Sequence, residues 1–299
     1  MPEPEDHVPV LDGFDRTRVP TSGAEINVRK AGAGPPLLLL HGSPQTHVMW
    51  HKIAPRLAER FTVVLTDLRG YGDSGKPPGG DNHEAYSKRA MAQDQVEVMA
   101  ALGFERFAVV GHDRGARVTH RMALDHPERV TKAAVLDIAP TLTMYERTDM
   151  AFATAYYHWF FLIQPFDLPE RLIGADPDYY MDKKMAAWQK AGGEAPFTEE
   201  ALAEYKRCFR DPETIHAICE DYRAAAGIDL AHDRADLERK IACPLLVLWG
   251  AEGVIDRTYD TLAVWRARAE DASGRALPCG HFLPEEAPEE TLAELVAFL

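Results

Sequence analysis

The sequence predicts an α/β fold: a mostly parallel sheet with helices on both faces and a block of helices inserted late in the chain. Three observations predict it. Apolar runs of strand length, such as Pro36-Leu37-Leu38-Leu39-Leu40 and Ala133-Ala134-Val135-Leu136, alternate with helical stretches. A run apolar at every position fits a strand covered on both sides. Residues 141–237 show no buried-strand pattern but carry helical stretches rich in Tyr and Trp. Finally, Val109-Val110-Gly111-His112-Asp113-Arg114-Gly115-Ala116-Arg117 reads as a strand, a sharp turn and a helix, with glycines flanking Asp113.

The elements follow in order. Residues 14–19 and 24–29 alternate weakly around Pro20-Thr21-Ser22-Gly23, as an antiparallel hairpin at a sheet edge does. Gly32-Ala33-Gly34-Pro35 leads into the apolar strand 36–40, which ends in His41-Gly42-Ser43-Pro44-Gln45. His41 reads as a structural histidine beneath this loop. The strand 61–67 precedes the glycine-punctuated loop 68–74, where Asp67 is expected to brace Arg69 and the loop. A helix over 91–102 stops at Leu102-Gly103. The helix after Asp113 runs to about residue 124, and the strand 133–138 carries Asp137 near its end. The sheet resumes at 243–250 and again near 275–277. Gly280-His281 comes next, and an amphipathic helix over roughly 288–299 closes the chain. The expected organisation is a core of residues 1–140 and 238–299 with a helical cap, or lid, over 141–237.

The chemistry centres on Asp113. The pattern small-x-nucleophile-x-small is a nucleophile elbow, and here a carboxylate holds the position usually given to Ser or Cys. A carboxylate at a helix N-terminus stays ionised and attacks saturated carbon, so the expected reaction is displacement at carbon through an alkyl ester, not acyl transfer. Arg114 and Arg117, three apart on one helix, can converge beside it and grip a substrate carboxylate. The plainer alternative has Arg114 neutralising Asp113 and Arg117 pointing to solvent. Backbone N–H groups of Ser43 and Arg114 are the expected oxyanion donors. His281, after the last strand, is placed as a base.

Composition narrows the partners. In 299 residues, 33 Lys and Arg stand against 47 Asp and Glu, a net charge of −14. That disfavours nucleic acid and membrane partners, and makes two adjacent arginines on an acidic chain informative. Cys208, Cys219, Cys243 and Cys279 show no paired or metal-type spacing, the N-terminal Met-Pro-Glu-Pro-Glu-Asp has no leader pattern, and no apolar run spans a bilayer. The expected compartment is the cytoplasm.

Taken together, Pro44-Gln45-Thr46-His47-Val48-Met49-Trp50, Gly111 to Arg117, Val135-Leu136-Asp137-Ile138, Tyr157-His158-Trp159, Cys219-Glu220-Asp221-Tyr222-Arg223 and Gly280-His281-Phe282-Leu283-Pro284-Glu285-Glu286 resemble the fluoroacetate (haloacetate) dehalogenases of the α/β-hydrolase superfamily over nearly the whole chain. The resemblance implies a nucleophile Asp113, a base His281 and its acid Asp137, with Arg114 and Arg117 binding the substrate carboxylate. It implies that His158, Trp159 and Tyr222 form the halide pocket, which suits their N–H and O–H donors. It further implies a homodimer, a small 2-haloacid and water as the only partners, and neither metal nor organic cofactor. Asp256, beyond the strand ending in Trp249, competes with Asp137, which is preferred. Members of the group commonly carry aromatic residues where this chain has Ser43 and Asp73, so the pocket walls are expected to be wider or more polar. Three other readings share the scaffold: an epoxide hydrolase, a haloalkane dehalogenase, and a carboxylate-binding receptor without turnover.

Overall fold

The computed structural model describes residues 11–192 and 195–299, so the segment Met1–Asp6 discussed above lies outside the described residues. Eight strands form one sheet: β1 (Asp15–Pro20), β2 (Glu25–Ala31), β3 (Pro36–Leu40), β4 (Thr62–Thr66), β5 (Phe107–His112), β6 (Val130–Leu136), β7 (Leu245–Gly250) and β8 (Ala272–Leu277), in the order β1-β2-β4-β3-β5-β6-β7-β8. β1 and β2 make the antiparallel hairpin at one edge, β2 joins β4 antiparallel, and every other pairing is parallel. This is the α/β-hydrolase architecture, and the fully apolar runs occupy its centre. Leu37 to Leu40 are wholly buried between β4 and β5, where helices cover a parallel sheet and leave no solvent face to pattern the strand.

The boundaries shift where local chemistry overrides pattern. β6 begins at Val130, earlier than the apolar run, because Val130 and Lys132 still pair with Phe107 and Ala108 across an irregularity at Thr131, while half-buried Thr131 and Lys132 hide the strand signal. It ends before Asp137, whose φ of 52° turns the chain out of the sheet. The helix Lys88–Ala101 starts three residues before the expected position, capped by Ser87, whose side chain accepts from the Ala90 N–H at 3.2 Å. Lys88 is buried in that first turn because it pairs with Asp221 and lies 3.6 Å from Asp229. One reading is corrected: Asp67 does not brace Arg69. It accepts the backbone N–H groups of His47 and Asp73 and bonds His47 Nδ1 at 2.8 Å, whereas Arg69 makes a forked pair with Asp94 at 2.5 and 2.6 Å.

Between β6 and β7 the described chain is helical from Thr141 to Ala235 and adds no strand to the sheet. Its helices Tyr157–Phe161, Pro177–Ala186 and Pro212–Ala226 bring His158, Trp159, Lys184 and Tyr222 to buried positions. None of the described helices is long and apolar enough to cross a membrane.

Candidate active site

The elbow after β5 is built by close packing. A Cβ at Gly111 would lie 2.4 Å from the Gly115 carbonyl oxygen, and one at Gly115 would lie 2.5 Å from that of Leu40. Only glycines let β5, its helix Arg114–Asp125 and the end of β3 approach this closely. Between them Asp113 sits at φ 47°, ψ −110°, a strained conformation that lifts its side chain out of both strand and helix. The Ser43 N–H donates to Asp113 Oδ1 at 3.0 Å. Burial raises the pKa of Asp113, but the charges of His281, His112, Arg114 and Arg117 outweigh it and hold the carboxyl at about 2. Asp113 is therefore an ionised carboxylate, 4 % exposed, at a helix N-terminus.

His281 and Asp137 come together from the ends of β8 and β6. His281 Nδ1 lies 2.6 Å from Asp137 Oδ2, and the other Asp137 oxygen accepts the Gly250 N–H at 2.9 Å. Burial depresses the His281 pKa; its hydrogen bond to Asp137 and that residue's charge raise it and prevail. Asp256 is engaged elsewhere, accepting from Trp249 Nε1 at 2.6 Å, so the geometry pairs His281 with Asp137. The loop holding His281 is fixed by Glu286, whose carboxylate accepts the N–H groups of Gly280, Phe282 and Lys190 at 2.8 Å each. His281 Nε2 has no hydrogen-bond partner among the described residues.

The arginines are both buried, and neither points to solvent. Arg114 makes a forked ion pair with Asp221, Nε to Oδ2 at 2.8 Å and Nη2 to Oδ1 at 2.7 Å, with its guanidinium 4.2 Å from the Tyr222 ring centroid. Arg117 donates from Nη1 to the Ala139 carbonyl and Thr141 Oγ1, lies 4.7 Å from the Trp159 ring centroid, and forms no ion pair among the described residues. Each keeps one donor without a partner among the described residues, Arg114 Nη1 and Arg117 Nε. Two buried unpaired guanidinium donors beside the ionised Asp113 suit an anionic ligand.

His158, Trp159 and Tyr222 are buried and packed ring to ring: His158 and Tyr222 centroids are 5.6 Å apart, Trp159 and Tyr222 6.4 Å. His158 Nδ1 and Trp159 Nε1 also find no partner among the described residues. Burial, then Lys184, Arg114, His281 and Arg117, drives the His158 pKa well down, so the imidazole is neutral. Burial likewise keeps the Tyr222 phenol protonated. A cleft of about 340 Å³ lined by Tyr156, Trp188, Gly253, Arg257 and His281 leads from the surface to His281, and Asp113 is not in its wall.

Three contributors escaped the sequence reading. Asp221 binds Arg114, Lys88 and the Tyr71 hydroxyl at once; its place beside Tyr222 was the available signal. Trp188 bridges His158 and His281 with centroids 4.5 and 5.2 Å away, and its carbonyl accepts the His281 N–H. Lys184, which precedes it by one turn, is buried with Nζ 3.3 Å from Ser43 Oγ. Ser43 thus faces Lys184, while Asp73 is tied to Arg16 and Arg207. Among the described residues no group of three His, Cys, Asp or Glu side chains could hold a metal.

A fluoroacetate dehalogenase of Burkholderia sp is 48% identical over 97% of this chain and 95% of its own length. A soluble epoxide hydrolase of Corynebacterium sp. strain C12 is 33% identical over 93% and 94%. A solved α/β-hydrolase structure from Nostoc sp PCC 7120 superposes with a TM-score of 0.94 at 66% identity, covering 95% of this chain and 97% of that one. The family model for the alpha/beta hydrolase fold matches residues 35–288, and with an elbow, a His–Asp pair and a sheet all of that kind, the chain belongs to the α/β-hydrolase family.

Proposed function

We propose that the protein is a haloacetate dehalogenase, hydrolysing fluoroacetate to glycolate and fluoride. The observation that carries this is the pair of buried, unpartnered donors, Arg114 Nη1 and Arg117 Nε, beside an ionised Asp113. The Burkholderia relative's activity supports it. The two arginines hold the substrate carboxylate so that the halogen-bearing carbon faces Asp113. A carboxylate oxygen of Asp113 bonds to that carbon, the carbon–halogen bond breaks, and the electron pair leaves with halide toward His158, Trp159 and Tyr222. His281, oriented by Asp137, takes a proton from water, which attacks the ester carbonyl of Asp113. The N–H of Ser43, already directed at Asp113, and that of Arg114 receive the oxyanion. Collapse frees glycolate and regenerates the carboxylate; the water's second proton is released.

The helices of residues 141–237 act in this reading as a cap that supplies the halide donors and excludes water. Four cysteines without disulfides support a reducing, cytoplasmic setting. The epoxide hydrolase reading keeps Asp113, His281 and Asp137 but gives the buried arginines no anion to bind. The test measures fluoride and chloride released from fluoroacetate and chloroacetate, with styrene oxide as the neutral control. Halide release without styrene oxide opening is expected; the reverse pattern overturns the proposal.

A further inference from the structure

Among the described residues every buried lysine and arginine is matched with a carboxylate except two. Arg69, Lys88, Arg114, Arg121 and Arg223 each form an ion pair. Arg117 and Lys184 form none among the described residues, although both are buried. The two face the single negative charge of Asp113, and holding a second cation out of water without a matching counter-charge is costly, so their retention calls for a further anion that arrives during function. Among the described residues Lys184 makes one hydrogen bond, to Ser43 Oγ, the residue whose N–H holds Asp113. Its Nζ lies 5.0 Å from the Trp188 ring centroid and 5.6 Å from that of Tyr222. It therefore borders the Ser43 loop that holds Asp113 and, on its other side, Tyr222 of the candidate halide pocket. Asp113 acts to hold its proton while burial acts to remove it, which leaves it charged below about 8.

We propose that Lys184 is the counter-charge of the departing halide, an inference that rests on the dehalogenase reading above: anchored on Ser43, its ammonium stabilises negative charge first on Asp113 and then on the leaving halogen. The charge count supports it. Before displacement the anions are the Asp113 carboxylate and the substrate carboxylate; afterwards they are the carboxylate of the esterified product and the halide. Arg117 and Lys184 balance both states without any proton moving. Arg114 does not serve this purpose, because its charge is matched by Asp221.

The prediction concerns the leaving group. Fluoride concentrates charge most and leaves least readily, so it depends most on a cation at the point of departure. In Lys184→Met, kcat/KM for fluoroacetate should fall about 100-fold while that for bromoacetate falls less than about tenfold, and inhibition by acetate, which has no halogen, should be unchanged. Lys184→Arg should restore most of the fluoroacetate rate. The Met variant exchanges an unpaired buried charge for an apolar chain of similar length, so its melting temperature should not fall; Lys184→Gln gives the same comparison if it does. Equal losses for all halides, weakened acetate inhibition, or no loss would each overturn the assignment. Wild-type enzyme that releases no halide from any haloacetate would instead overturn the dehalogenase reading, a result visible before any variant is compared.

Discussion

In the proposed mechanism, Asp113 and His281 divide the pH axis between two half-reactions. With the Asp113 carboxyl held at about 2, the nucleophile stays ionised through the whole working range. His281 must be neutral to take a proton from water, and Asp137 raises its pKa above the usual value. The sign follows: as pH falls through that raised pKa, ester hydrolysis is lost while halide release from a first turnover continues. Intact-protein mass spectrometry during turnover should show the aspartyl ester accumulating on the acid side, and His281→Ala should hold it at every pH after one burst. Asp113→Asn should release no halide. Asp221 tests a different link. Removing its charge strands buried Arg114, so Asp221→Asn should cost about 3–5 kcal/mol in denaturant unfolding and raise KM for haloacetate more than it lowers kcat.

At the scale of elements, the site depends on how closely three segments pack. Gly115→Ala places a methyl group against the Leu40 and His41 carbonyls, where backbone rather than a flexible side chain must yield. It should destabilise by about 1–3 kcal/mol and reduce activity further by displacing Asp113, as paired melting and rate measurements would show. The elbow was legible in the sequence for this same reason: the glycines at 111 and 115 have little other use, and the apolar runs of β3 to β7 announce a covered sheet. What was not legible is instructive. The spacing of Arg114 and Arg117 put both beside Asp113 but could not show that Asp221, more than a hundred residues on, takes most of Arg114's donors. Lys184 resembled any lysine on an exposed helix, since helical period cannot say which face a distant segment will cover. The same blindness paired Arg69 with Asp67 when the true partner is Asp94, contributed by the next helix.

For the molecule as a whole, a net charge of −14 repels the anion that the buried arginines would attract. Long-range repulsion is screened by salt, whereas contacts inside a buried site are screened far less. Raising ionic strength from about 0.01 to 0.15 M shortens the screening length from about 30 to 8 Å, and should raise kcat/KM for fluoroacetate while leaving kcat nearly constant. Initial rates across a salt series check this. Arg117 and Lys184, which form no ion pair among the described residues and share the one charge of Asp113, carry a consequence beyond turnover. An interior that holds surplus positive charge is strained whenever nothing sits inside it, so the resting protein forgoes some of the robustness its packing could provide. Any small acid that fills the chamber repays that deficit, and the folded chain is then hardest to unfold when it is busiest.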